Sequence, residues 1–246
     1  MSRNRPNGYP LPSSTRSSDA AARVLGLLLA DGRFPVGGHT QSGGLEPALT
    51  AGLTAAQIPG YLRTRLRTVV RVEAGTAVVA RSVALAGGSD PAAIADGLRA
   101  VERAWRARTP SSALRANALL LGRGLAAVGG SLWPEHPAVT ALSAGPLVRP
   151  VALGAIAAAC GVLAPDLAGI VGYDDVQTVA AAAVKLLPLD PTTATGWVVG
   201  VATEIAALAH DLAGLTDPQQ IPATAAPAIE EWAQTHQRAE WRLFNA

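Results

Sequence analysis

The chain has 246 residues, of which 49% are hydrophobic and only 15% charged, and its 20 basic and 18 acidic side chains leave a net charge of +2. That near-neutral balance argues against a strongly basic nucleic-acid binder, while the length admits one large domain or two small ones. Cys160 is the single cysteine, which excludes an intrachain disulfide and fits a reducing compartment.

Residues 1–18 (MSRNRPNGYPLPSSTRSS) have too little apolar surface to bury and are predicted to form a disordered N-terminal tail, with one folded domain over 19–246. Ser18 or Asp19 can cap a first helix running to about Asp31. Its apolar run VLGLLLA is no secretory signal, because the region before it is long and rich in Pro and Ser and a glycine-rich block follows directly. That block, DGRFPVGGHTQSGGLE over residues 31–46, holds two glycine pairs and Pro35, a combination that specifies one irregular backbone shape. A short helix is expected over 45–51 and a long one over 54–86, ended by Gly87-Gly88. Ser89-Asp90-Pro91 reads as a cap followed by a first-turn proline. Further helices are expected over 91–106, 111–128, 151–163, 165–187, 191–215 and 223–237, with a loop at GGSLWPEHP (129–137).

Hairpin turns between alternating strands are missing from this pattern, as is strand-helix alternation. The expected fold is therefore all-α, a single-domain bundle of about eight to ten helices. The uncharged run Pro150–Pro165 is too short to span a bilayer, so no transmembrane helix is expected and the cytoplasm is the expected location. All but one of the basic residues are arginine, and Arg63, Arg67 and Arg71 share one face of a helix, chiefly as a solvated stripe.

Three kinds of chemistry can be tested on the residues. Ser42 lies in a glycine-rich turn, but Thr40 and Gly44 flank it where a nucleophile elbow has glycines on both sides, and no strand precedes it. His39, His136, His210 and His236 are scattered without ligand spacing, and Cys160 has no ligand partner nearby, so no resident metal site is expected. Imidazole does suit nickel, and transient contact between chains stays open. The glycine block lacks the Lys and Ser/Thr of a phosphate loop, and Lys185, the only lysine, lies far away. Cys160 reads as an unreactive core thiol, and Glu204 as a helix-face carboxylate paired with an arginine. No catalytic residue is assigned and no cofactor is expected; the alternative is a helical small-molecule enzyme with a pocket at the glycine block, acting through Asp31, His39 or Ser42.

Three segments in order resemble the urease accessory protein UreF family. In LLLADGRFPVGGHTQSGGLE the matching residues are Asp31, Phe34, Pro35, Gly37, Ser42, Gly43, Gly44, Leu45 and Glu46. In AAVKLLPLDPTTATGW they are Ala183, Val184, Lys185, Leu186, Pro188 and Leu189, and in THQRAEWRLFNA they are His236, Arg242, Leu243 and Phe244. The chain departs from the family at Gln41, where a histidine is common, at Asp190-Pro191 in place of Gly-Gln, at Gln237 in place of Glu, and at Glu240 in place of a tyrosine.

The resemblance implies a non-enzymatic, helical, homodimeric nickel-insertion chaperone. It implies that the chain binds UreD (also called UreH), with which it recruits the GTPase UreG and docks on apo-urease. The partner-binding residues it points to are Asp31, Phe34, Pro35, Gly37, Ser42, Gly43, Gly44, Glu46, Lys185, His236, Arg242, Leu243 and Phe244, with 236–246 as a C-terminal partner-binding tail. Neither nucleic acid nor membrane is an expected partner.

Overall fold

The computed structural model describes Tyr9, residues 16–239 and residues 242–244 of the chain. Among them all regular structure is helical, in twelve α-helices of which ten have nine residues or more. The expected all-α bundle is what the chain forms. The expected tail over residues 1–18 lies outside the described residues save for Tyr9 and the start of α1 (Arg16–Ala30), which opens before Asp19.

The core is organised around α4 (Val69–Ala86) and α8 (Arg149–Ala159), which pack along each other more extensively than any other pair. Every residue of α8 from Pro150 onward is buried, as expected for a helix that is apolar on all sides. Alanine and glycine make this crossing close: a Cβ built on Gly154 would lie 2.3 Å from the carbonyl oxygen of Ala77. Cys160 follows at the end of α8, wholly buried, and burial pushes its thiol up to about 12. Around this pair lie α5 (Pro91–Arg108), α6 (Ser112–Leu132) and α9 (Ala164–Leu186).

Where helices start, the side chains follow the capping rules. Asp90 accepts from the Ala92 and Ala93 amides at 2.9 and 3.2 Å ahead of Pro91, and Ser111 and Asp190 cap α6 and α10 (Pro191–Val199) in the same way.

Four expected boundaries are corrected. The long helix over 54–86 is a 3₁₀ turn, then α3 (Ile58–Arg67), then α4, broken at Thr68, whose φ and ψ are −123° and −100°. Thr68 is held on both sides of the break: its hydroxyl donates to the Thr64 carbonyl at 2.7 Å and its own carbonyl accepts from the Thr224 hydroxyl at 3.0 Å. The helix over 191–215 divides into α10 and α11 (Ala202–Leu212) around Gly200 and Val201. In contrast, α6 runs through Gly129 and Gly130, where a loop was expected, because Gly129 packs beneath Ile156 and Val139. A four-residue turn of helix, α7 (Pro137–Thr140), follows it. Finally α12 begins at Pro227 instead of near Ala223, with the proline in its first turn; before it, the carbonyls of Gln219, in a 3₁₀ turn (Pro218–Gln220), and of Ile221 accept from the Arg108 guanidinium at 3.2 and 2.7 Å.

The α10–α11 stretch Pro191–Leu212 is long and apolar enough to cross a membrane by length and composition. In the fold it is bent at Val201 and tied to the body by ion pairs. Glu204 accepts from Arg63 at 3.0 Å and Asp211 from Arg71 at 3.1 Å. The arginine stripe on α3 and α4 is therefore largely met from within, and Glu204 has the arginine partner the sequence led us to expect.

Candidate functional site: the glycine-rich block and the C-terminal segment

The glycine-rich block joins α1 to α2 (Leu45–Thr50) and is shaped by backbone rather than by side chains. Gly37, Gly43 and Gly44 have φ of +86°, +60° and +74°, which L residues rarely adopt. Phe34 is buried in the core beneath it, whereas Pro35 is exposed. Asp31 is held by Arg33, which donates to it through its amide and guanidinium at 2.9 to 3.1 Å; that contact keeps the Asp31 carboxyl below the usual range. Ser42 is fully buried, and its Oγ accepts from the Glu46 amide at 3.4 Å.

Two sets of contacts anchor the block. Inward, the Tyr61 hydroxyl donates to the Gly43 carbonyl at 2.8 Å and accepts from Arg65 at 3.2 Å. Arg65 in turn grips Asp175 with two hydrogen bonds of 2.8 and 2.6 Å. Burial opposes the Arg65 charge, but Asp175 and Tyr61 outweigh it and hold the guanidinium above its ordinary pKa. Burial pushes the Tyr61 hydroxyl up.

Outward, Glu46 reaches the C-terminal segment. Its two carboxylate oxygens accept from the successive amides of Leu243 and Phe244 at 2.7 and 2.9 Å. His236, near the end of α12 (Pro227–Gln237), donates from Nε2 to the Phe244 carbonyl at 3.1 Å, with the same nitrogen 3.6 Å from Glu46. The donor role fixes the tautomer, since a carbonyl only accepts. Lys185 from α9 sits 5.3 Å from the centre of the Phe244 ring. Five of the residues singled out in the sequence, Ser42, Glu46, Lys185, His236 and Phe244, are thus brought together from three distant parts of the chain. Phe244 is 4% exposed while Leu243 is 64% exposed and Arg242 is also exposed. Within this chain Phe244 is thus anchored inward, and Arg242 and Leu243 are what the segment presents to solvent. Glu240 and Trp241 lie outside the described residues.

Behind the block is a cavity of about 470 Å³, lined by Gln41, Glu73, Asn117, Asp174, Thr178 and His236 among others. Several of its charged groups are paired. Asp174 accepts from Arg149 at 2.6 Å, and Glu73 accepts from the Trp105 indole at 2.6 Å. Burial raises the pKa of both carboxyls. Gln41 is 8% exposed, and its Oε1 has no hydrogen-bond partner among the described residues. No cluster of three His, Cys, Asp or Glu suited to a metal ion occurs among the described residues. The enzyme alternative gains a cavity here but few free groups: Ser42 is closed off, Asp31 is paired with Arg33, and the His39 side chain lies outside the described residues.

Glu73 yields a pH prediction. A buried carboxyl whose folded pKa is raised binds its proton more tightly folded than unfolded, so stability falls as pH climbs through the interval from the unfolded to the folded pKa. Glu73→Gln keeps an acceptor for Trp105 and removes the charge. Its melting temperature is expected to exceed that of the wild type by a few degrees at pH 8 and by less at pH 4, measured by calorimetry. An equal difference at both pH values would show that Glu73 is not the titrating cost.

The residues missed in the sequence are Tyr61, Glu73, Arg65, Arg149, Asp174 and Asp175. The available signal was the pair Asp174-Asp175 inside the otherwise apolar α9, since charges on a core helix require partners.

The UreF family model matches residues 53–202 of the chain. Among similar proteins, the urease accessory protein UreF of Mycobacterium sp. (strain JLS) is 36% identical over 226 residues, covering 89% of this chain and 96% of its own length. Those of Mycolicibacterium vanbaalenii and Mycobacterium marinum are 36% and 34% identical at the same coverage. The chain belongs to the UreF family. Within that family, the anchored glycine block and C-terminal segment give a geometric meaning to the first and third sequence signatures, which the matched region 53–202 does not include. Gln41 is the residue whose side-chain oxygen is left without a hydrogen-bond partner among the described residues lining the cavity.

Proposed function

We propose that this chain is a cytoplasmic, non-enzymatic urease accessory protein that acts as a homodimer with UreD/UreH, recruits and regulates the GTPase UreG, and docks on apo-urease for nickel insertion. What carries the reading is the convergence of the glycine block and C-terminal segment through Glu46, which makes one surface out of two family signatures. Leu243 and Arg242 project from that surface, and apolar side chains of α1 lie exposed as well, Leu27 at 72% and Val24 at 64%. Exposed leucine beside arginine on a fixed backbone is what a partner protein can desolvate at low entropic cost.

Co-purification tests this directly. Tagged wild-type chain expressed with UreD/UreH is expected to retain it, and Leu243→Asp is expected to lower the captured amount at least 10-fold with unchanged helical content. Undiminished capture by Leu243→Asp would remove the C-terminal segment from the interface.

A further inference from the structure

The grip on the C-terminal segment has the features of a peptide-binding site. Glu46 takes two successive backbone amides and His236 takes the carbonyl of the second residue, so three of the contacts read main chain and are indifferent to sequence. Among the described residues one side chain is read: the Phe244 ring is buried with the Lys185 ammonium over its face, while Arg242 and Leu243 are exposed. Recognition of this kind, a few charge-assisted hydrogen bonds plus one aromatic anchor, is compact and specific. The described footprint covers only two residues, so the segment can leave without disturbing the helices that form the site. Glu46 is held independently of its occupant, because its amide bonds to the buried Ser42 and it belongs to the first turn of α2.

We propose that Glu46, His236 and Lys185 form a receptor for a short extended peptide, closed in cis by residues 242–244 and able to take the same segment from a second copy of the chain in trans. The ligand class is an extended peptide with an aromatic residue whose amide, and the amide of the residue before it, are both free to donate. Occupancy in cis makes the site self-protected: a segment in trans must compete with one tethered by a few residues to the end of α12, whose effective concentration is high. The proposal rests on the clamp geometry alone and stands apart from the urease reading.

The test uses the full chain and a fluorescein-labelled peptide of residues 238–246, followed by fluorescence anisotropy. Phe244→Ala empties the aromatic pocket in cis and is expected to bind the peptide at least 10-fold more tightly than wild type does. Adding Glu46→Gln to that variant is expected to weaken binding at least 10-fold, and a peptide N-methylated at both the Leu243 and Phe244 amides is expected to fail as a competitor. Phe244→Leu serves as a second host with an apolar side chain retained, and is expected to bind with intermediate affinity. The proposal is overturned if neither host binds the peptide while keeping its helical content. Equal binding by wild type and both hosts, or binding unaffected by Glu46→Gln, overturns it as well.

Discussion

Gly154→Leu is expected to leave the chain without a native state, and even Gly154→Ala is expected to cost at least about 3 kcal/mol, judged by chemical denaturation followed by circular dichroism. The reason lies in what the added atom meets. A Cβ at this position would lie 2.3 Å from the Ala77 carbonyl oxygen, 2.7 Å from the Ala80 Cβ and 2.9 Å from the Arg81 amide. Two of these are backbone atoms of α4, which no rotamer change can move aside. Relief requires α4 and α8 to separate, and these helices form the most extensive contact in the molecule. With a total stability of about 5–15 kcal/mol for an ordinary domain, such a loss is decisive. Gly130 is the control. It lies in α6 with nothing within 4 Å of its added Cβ, so Gly130→Ala is expected to gain about 0.5–1 kcal/mol from helix propensity. If the two alanine variants proved equally stable, close packing at the α4–α8 crossing would not be what fixes Gly154.

The second large effect is expected at the glycine block. Gly43→Val meets two obstacles: a φ of +60°, which costs an L residue about 1–2 kcal/mol, and a Cβ only 2.6 Å from Val179 Cγ2. Gly44→Val meets a φ of +74° and the Tyr61 hydroxyl at 2.9 Å. Either change disturbs the hydrogen bond from Tyr61 to the Gly43 carbonyl, and with it the Arg65–Asp175 pair behind it. A buried pair left with a displaced partner is expensive, about 3–5 kcal/mol when one partner is lost altogether. Each variant is thus expected to be destabilised by several times RT, with the Glu46 clamp misplaced even in molecules that fold. Gly52 separates strain from site. It has a φ of +102° and no neighbour within 4 Å, so Gly52→Ala is expected to lose stability through backbone strain with the block intact.

The helical class, the caps and the irregular shape of the block were legible in the sequence because they are local. Asp90 before Pro91 and Asp190 before Pro191 announce helix starts through hydrogen bonds to amides two or three residues away. The breaks at Thr68 and Val201 were not legible, since both follow from partners far along the chain: Thr224 for the first, and Arg63 and Arg71 for the orientation of α11. Glycine misled at positions 129–130 because the same residue ends one helix and permits close packing inside another. The candidate site residues were named by resemblance, but their arrangement was hidden. Glu46 and Phe244 are 198 residues apart, and only the fold shows that they hold each other. Arg65 was passed over beside the more regular Arg63, Arg67 and Arg71, although it alone of the four is buried.

The most direct measurement is urease activity in cells that lack their own UreF but retain urease and the other accessory proteins, supplied with nickel and with this chain. The account predicts that the wild-type chain restores nickel-dependent activity and that Gly43→Val, at matched expression, restores less than about a tenth of it, in line with a local cost above about 1.4 kcal/mol. A folded wild-type chain that leaves urease inactive beside its accessory partners would contradict the account.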